Sequence, residues 1–201
     1  MSALPVDPPV RYYAELAAQV YNDVPDFGAV QSAARAKLYA GGRVLVFRGS
    51  DNWETWFHDF QILPTRTGDL GLLHSGIYDA WEEVASQILA LKAPPDIIVG
   101  HSEGAGLAQI CTGAFARAGH KPTALYAFEP PSIAGDATLR GYIESAGVMA
   151  LCTQHGLDPV PKVPTWLDPA LDLSDIGVVL PGKDPIWYHL MENIIPVFPA
   201  G

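Results

Sequence analysis

The pentapeptide Gly100-His101-Ser102-Glu103-Gly104 lies between the run Asp96-Ile97-Ile98-Val99 and the helix-forming residues 105–117. A β-branched apolar run reads as a buried strand and the run after it as a helix, so the serine sits where a strand turns sharply into a helix. At so tight a turn the side chains two residues before and two after the serine collide. Gly100 and Gly104 supply hydrogen at those positions. The expected result is a nucleophile elbow, with Ser102 held in a strained backbone conformation, its hydroxyl standing above the sheet and the next amide directed at a substrate oxygen. A chain with 19 glycines produces G-x-S-x-G by chance easily enough. The strand before and the helix after are what make it informative.

The surrounding pattern extends this local reading to a fold. Residues 9–21 read as a helix opened by Pro8-Pro9, with Tyr13, Leu16, Ala17 and Val20 on one face, expected to pack across the sheet edge. Strand character begins at Ala33, Ala40-Gly41-Gly42-Arg43 reads as a hairpin turn, and residues 43–47 read as a buried central strand. Ile77, Trp81, Val84, Ile88 and Leu91 recur at alternating steps of four and three, which places them on one face of a helix. Pro94-Pro95 then leads into the elbow strand, whose helix is followed by a strand over 123–128, a helical stretch over 137–145 and a strand over 148–152. The tail reads as proline-rich loops ending in a short helix over 187–195. Strand, helix and strand in alternation imply an α/β fold whose mostly parallel central sheet carries helices on both faces. With 201 residues and 49% hydrophobic content, one domain over 1–201 is expected.

Charge and composition exclude some functions. Only 12 Lys and Arg are scattered through a chain of net charge −10, which argues against nucleic acid and anionic membranes as partners. No apolar stretch reaches membrane-spanning length, and residues 1–7 show no leader-like pattern, so a cytoplasmic protein is expected, with release by lysis or unconventional export left open. Cys111 and Cys152 read as small buried thiols in preference to a disulfide.

A serine hydroxyl is a poor nucleophile near neutral pH. It needs a histidine to take its proton and a carboxylate to orient that histidine, and in this kind of sheet the chain order is Ser, acid, His. His120, His155 and His189 follow Ser102. His120 falls in the loop after the elbow helix, before a further strand can supply an acid, and His155 precedes the best acid. His189 remains. That acid is Asp158, in Leu157-Asp158-Pro159-Val160-Pro161, where prolines fix a loop at the C-terminal edge of the sheet. Asp168, Asp172, Asp175 and Asp184 read as solvated loop or turn carboxylates. For the oxyanion, Ser50 leaves the strand over 43–47 and offers its N–H and hydroxyl, while Glu103 offers its backbone N–H. His101 is expected to pack against the neighbouring strand.

Taken in order, these residues resemble the class 3 lipases, the fungal triacylglycerol lipase-like branch of the α/β-hydrolases. The likeness runs through residues 46–50, the segment Trp56 to Asp59, His74-Ser75-Gly76-Ile77, the elbow, Phe128-Glu129-Pro130-Pro131, Asp158-Pro159-Val160-Pro161 and Val163-Pro164, to His189. The resemblance implies carboxylic ester hydrolysis without metal or cofactor, with Ser102, Asp158 and His189 as the triad and Ser50 in the oxyanion hole. It also implies that Asp59 and His74 are structural supports. Family members usually carry leucine after the nucleophile, where this chain has Glu103. A carboxylate there opposes oxyanion charge unless solvated or paired, and is also a favourable acid in a helix's first turn.

The substrate side is less constrained. Residues 51–58 stand where fungal relatives keep a lid, and Trp53, Trp56 and Phe57 either flank an acyl pocket or fill core. Trp166 and Trp187 either line the leaving-group or acyl side or anchor loops. In so short a chain with little room for a lid, the expected substrates are short to medium acyl esters, small molecules or lipids. A phospholipase A1, an acyltransferase or a polyester depolymerase would use the same residues, and an inactive hydrolase fold would only bind. Oligomeric state is not legible.

Overall fold

The computed structural model describes residues 9–29, 31–50 and 64–200. In chain order these form α1 (Val10–Gln19), β1 (Arg35–Tyr39), β2 (Val44–Arg48), β3 (Pro64–Arg66), β4 (Leu72–His74), α2 (Ser75–Leu89), β5 (Ile97–His101), α3 (Glu103–Arg117), β6 (Ala124–Phe128), α4 (Thr138–Ser145), β7 (Met149–His155), β8 (Leu173–Ile176), α5 (Pro185–His189) and α6 (Met191–Ile194). The main sheet has six strands in the order β1-β2-β5-β6-β7-β8. β1 runs antiparallel to β2, and every other neighbouring pair is parallel. This is the mostly parallel sheet expected from the alternation of strands and helices, and the α/β-hydrolase arrangement that the resemblance implies.

The strand sequences explain why helices cover both faces. Leu45, Phe47, Ile98, Leu125 and Ala127 enter one core together with α2, α3 and α4. Their neighbours Val44, Val46, Ile97, Val99 and Tyr126 enter a second core on the opposite face. Because side chains alternate along a strand, a run that is apolar at every position must be buried twice. α2 meets the first core with the stripe Ile77, Ala80, Trp81, Val84, Ala85 and Ile88, close to the expected helix face. α3 is buried from Gly104 to Phe115, enclosed by the sheet and the helices beside it.

The second core corrects one expectation. α1 does not cross the sheet edge but lies on β2, β5 and β6. The ring of Tyr13 stacks on that of Tyr126 with centroids 4.2 Å apart. The reason is the alternation just described: the outward valines and isoleucine of the central strands need cover, and Tyr13, Ala14, Leu16, Ala17 and Val20 provide it.

Other differences lie where regular patterning is weak. β8 is a four-residue edge strand of sequence Leu-Ser-Asp-Ile with exposed polar residues at its centre, which reads as loop in isolation. The small β3–β4 hairpin was likewise not legible. The expected terminal helix is divided into α5 and α6 by Leu190, whose ψ of 129° is extended. Cys111 and Cys152 are both free and buried. Burial pushes the Cys111 thiol well above its ordinary range and that of Cys152 up to about 12. Among the described residues no helix is long and apolar enough to cross a membrane.

Candidate active site

Ser102 joins β5 to α3 with φ 58° and ψ −131°, a region that side-chain-bearing residues rarely enter. Its amide donates to the carbonyl of Phe128 at 2.9 Å, which ties the turn to β6. A Cβ on Gly100 would stand 2.1 Å from the carbonyl oxygen of Gly104, and one on Gly104 would stand 2.5 Å from that of Phe47. Both glycines are therefore demanded by backbone packed against backbone, within the turn and against β2.

The Ser102 hydroxyl donates to Nε2 of His189 at 2.9 Å, and Nδ1–H of His189 donates to Oδ2 of Asp158 at 2.7 Å. A carboxylate accepts only, so Nδ1 carries the hydrogen and Nε2 is left with the lone pair that meets the serine. All three side chains are buried. Asp158 stands in the turn after β7, where its Oδ1 accepts the amide of Val160 at 2.9 Å and its own amide donates to His155. His189 is the last residue of α5. The structure thus brings together the serine, acid and histidine singled out by chain order, across 31 and 87 residues of separation.

Residues that sequence reasoning placed elsewhere, or passed over, surround them. His101 does not simply pack on a strand. Its Nε2–H donates to the carbonyl of His189 at 2.9 Å, its Nδ1 accepts the hydroxyl of Tyr21 at 3.0 Å, and the two imidazole centroids are 4.7 Å apart. Burial, reinforced by His189, holds its pKa well below the ordinary value, so it stays neutral and keeps this tautomer. His155 donates from Nδ1–H to the carbonyl of Tyr188 at 3.0 Å and so holds the residue preceding His189. Glu129 is wholly buried, accepting Thr153 Oγ–H at 3.1 Å and the amide of His155 at 2.8 Å. Its carboxyl also lies close enough to Asp158 to interact with it, and burial first, then that neighbour, push its pKa well above the usual carboxylate range. An acid followed by two prolines at the end of a strand was the available signal. His120 is exposed against Phe115. His74 is buried and caps α2 by accepting the amide of Ile77 at 3.3 Å.

A cavity of about 430 Å³ opens beside Ser102. Ser50, Ser102 and His189 form its polar end, and Leu190, Met191 and Ile195 form an apolar wall. Ala18 and Tyr21, just inside and beyond the end of α1, also line it, with His101 and Glu192. Its size suits a small ligand. Glu103 is the first residue of α3, a position whose amide a helix leaves for acceptors outside it. Two of the four candidate pocket tryptophans do not line this cavity: Trp166 is 46% exposed, and Trp187 packs edge-on against Tyr188 with Lys183 over its ring. Loop anchoring fits Trp187, and it is the segment after His189, not the one before it, that lines the cavity beside the serine. Trp53, Trp56, Phe57 and Asp59 lie outside the described residues. Among the described residues, no group of three or more His, Cys, Asp or Glu is placed to hold a metal ion.

Comparison with known proteins agrees with this architecture. The secreted mono- and diacylglycerol lipase A of Penicillium cyclopium is 33% identical over 131 residues, 60% of this chain and 42% of that protein. The secreted mono- and diacylglycerol lipase 1 of Fusarium solani is 33% identical over 132 residues, covering 60% and 39%. The chain thus spans less than half the length of these curated relatives. Both are named as secreted, which corrects the expectation of a cytoplasmic protein. That expectation rested on the composition of residues 1–7, which does not decide the compartment. Among solved structures, the Rhizomucor miehei lipase propeptide complex shares the fold with a TM-score of 0.61 at 21% identity, over 77% of this chain and 62% of that one. The family model described as lipase (class 3) matches residues 44–167, more than half of the sequence, and the chain belongs to that family.

Proposed function

We propose that this chain is a serine carboxylic ester hydrolase, an esterase or lipase that works through an acyl-enzyme on Ser102. The observation that carries the reading is the continuous hydrogen-bonded series from Ser102 through His189 to Asp158 beside a cavity with one apolar wall. His189 takes the serine proton on Nε2 as Oγ attacks the ester carbonyl. Asp158 keeps the imidazole in the required tautomer and stabilises the positive charge it acquires. The oxyanion is received by the amide of Glu103 and by Ser50. Proton transfer from His189 then releases the alcohol, and a water activated by the same nitrogen frees the acid.

Neutral esters of short to medium acyl chains are the substrates we assign. The mono- and diacylglycerol lipases among the relatives support a partial glyceride or similar ester. The apolar wall of Leu190, Met191 and Ile195 supports an acyl chain, and Glu192 at the cavity disfavours anionic headgroups. Secreted relatives support work outside the cell. We treat the chain as one catalytic domain, a reading supported by the single six-stranded sheet that both cores share.

Ser102→Ala is expected to abolish hydrolysis of p-nitrophenyl butyrate and octanoate and labelling by a fluorophosphonate, with an unchanged circular dichroism spectrum. A folded variant that still turns over these esters contradicts the reading.

A further inference from the structure

Glu129 follows β6 at the C-terminal edge of the sheet, and its amide donates to the carbonyl of Thr153 on β7 at 3.2 Å. Its φ is 52°, in the left-handed region where glycine is at ease and a branched or long side chain is not. The chain therefore keeps a glutamate at a backbone cost that glycine would avoid. Strain of this kind persists where the side chain is required.

That side chain is buried to 0% exposure against the end of β7, the strand that leads to Asp158. Thr153 Oγ–H and the amide of His155 fill one lone pair on each oxygen, and Asp158 is its remaining partner. Two carboxyl groups in contact away from water share a proton instead of both ionising. The imidazole N–H of His189, 2.7 Å from Asp158, attracts the charge to Asp158, so the proton belongs on Glu129. The titratable groups around this pair are His155 on β7, His189 beyond Asp158, and His101, neutral and with its ring tilted against that of His189.

We propose that Glu129 is a positioning residue, a neutral acid that donates its carboxyl proton to Asp158 and so fixes the carboxylate that aligns His189. Asp158 then receives donors from Val160, His189 and Glu129, which leaves it little freedom to rotate. His189 meets one negative charge instead of two. The proposal rests on the reading of Ser102, His189 and Asp158 as the reacting set.

Glu129→Gln and Glu129→Gly separate the contributions. Glutamine imitates the neutral acid, since its amide N–H can donate to Asp158. Glycine removes the donor while accepting the positive φ, so the variant is expected to fold. For Glu129→Gln, we expect kcat and KM within roughly threefold of wild type and an unmoved acid limb in the pH profile of kcat/KM. For Glu129→Gly, we expect kcat to fall roughly 10- to 100-fold with little change in KM, and the low-field Nδ1–H proton resonance of His189 to shift. Two results overturn the proposal. One is a folded Glu129→Gly with wild-type kcat and resonance. The other is an acid limb displaced to lower pH in Glu129→Gln, because losing an ionised neighbour makes the imidazole easier to deprotonate. Neither touches the functional reading, which falls only if Ser102→Ala retains turnover.

Discussion

The elbow and the C-terminal segment contribute to the same site by opposite means. Ser102 is held by backbone: a strand paired on both sides, an enclosed helix, and glycines wedged between carbonyls. Asp158 and His189 stand on turns and a five-residue helix, held by side chains that reach across the fold. His101 grips the carbonyl of His189, His155 grips that of Tyr188, and the Tyr188 hydroxyl closes the loop before α5 through both the amide and the carbonyl of Leu180. A nucleophile fixed by strain needs a rigid scaffold. In the proposed mechanism, a base that gains and loses a proton needs hydrogen-bond partners that set its orientation and tautomer.

Substitutions can break that contrast. In the C-terminal segment, Asp158→Asn is expected to lower kcat about 10⁴-fold, close to 5.5 kcal/mol of barrier, while stability moves by only about 1 kcal/mol. Ester kinetics and urea unfolding of the same preparation check it, and an equal loss of stability and activity would contradict the separation. In the elbow, Gly100→Ala should cost activity and fold together. The new methyl meets the Gly104 carbonyl, and overpacking of backbone against backbone costs roughly 3 kcal/mol, which lowers Tm by roughly 10 °C.

A smaller effect sharpens the difference through pH. The fold retains a proton on Glu129 that the unfolded chain releases above about pH 4.3, so this group's contribution to stability is complete below that pH and is lost as pH rises toward the elevated folded value. Glu129→Gln lacks the term. Its stability relative to wild type should therefore improve from about pH 5 to pH 8, by no more than about 1.4 kcal/mol per pH unit. Parallel stability curves in chemical denaturation would show that Glu129 is not the proton holder.

What was legible in the chain follows the same division. The elbow, the faces of α2 and the buried central strands announce themselves because their causes are local: a periodicity, a run of β-branched residues, or two glycines at fixed spacing. His189 and Asp158 emerged only through chain order and elimination. α1 was misplaced because its apolar stripe shows that it packs but not on what. β8 was missed because an edge strand with polar residues at its centre has no pattern that differs from a loop.

By itself, then, the sequence determined the layered α/β architecture, the strained serine and the families of side chain available to assist it. Only the tertiary structure decided that His101 holds the carbonyl of His189, that Glu129 lies beside Asp158, and that Leu190, Met191 and Ile195 instead of Trp166 and Trp187 line the cavity. Local steric rules act over a few residues and leave a mark in their order. The partnership of His189 with Ser102 spans 87 residues, and only the packing of the sheet and its two cores brings such groups together.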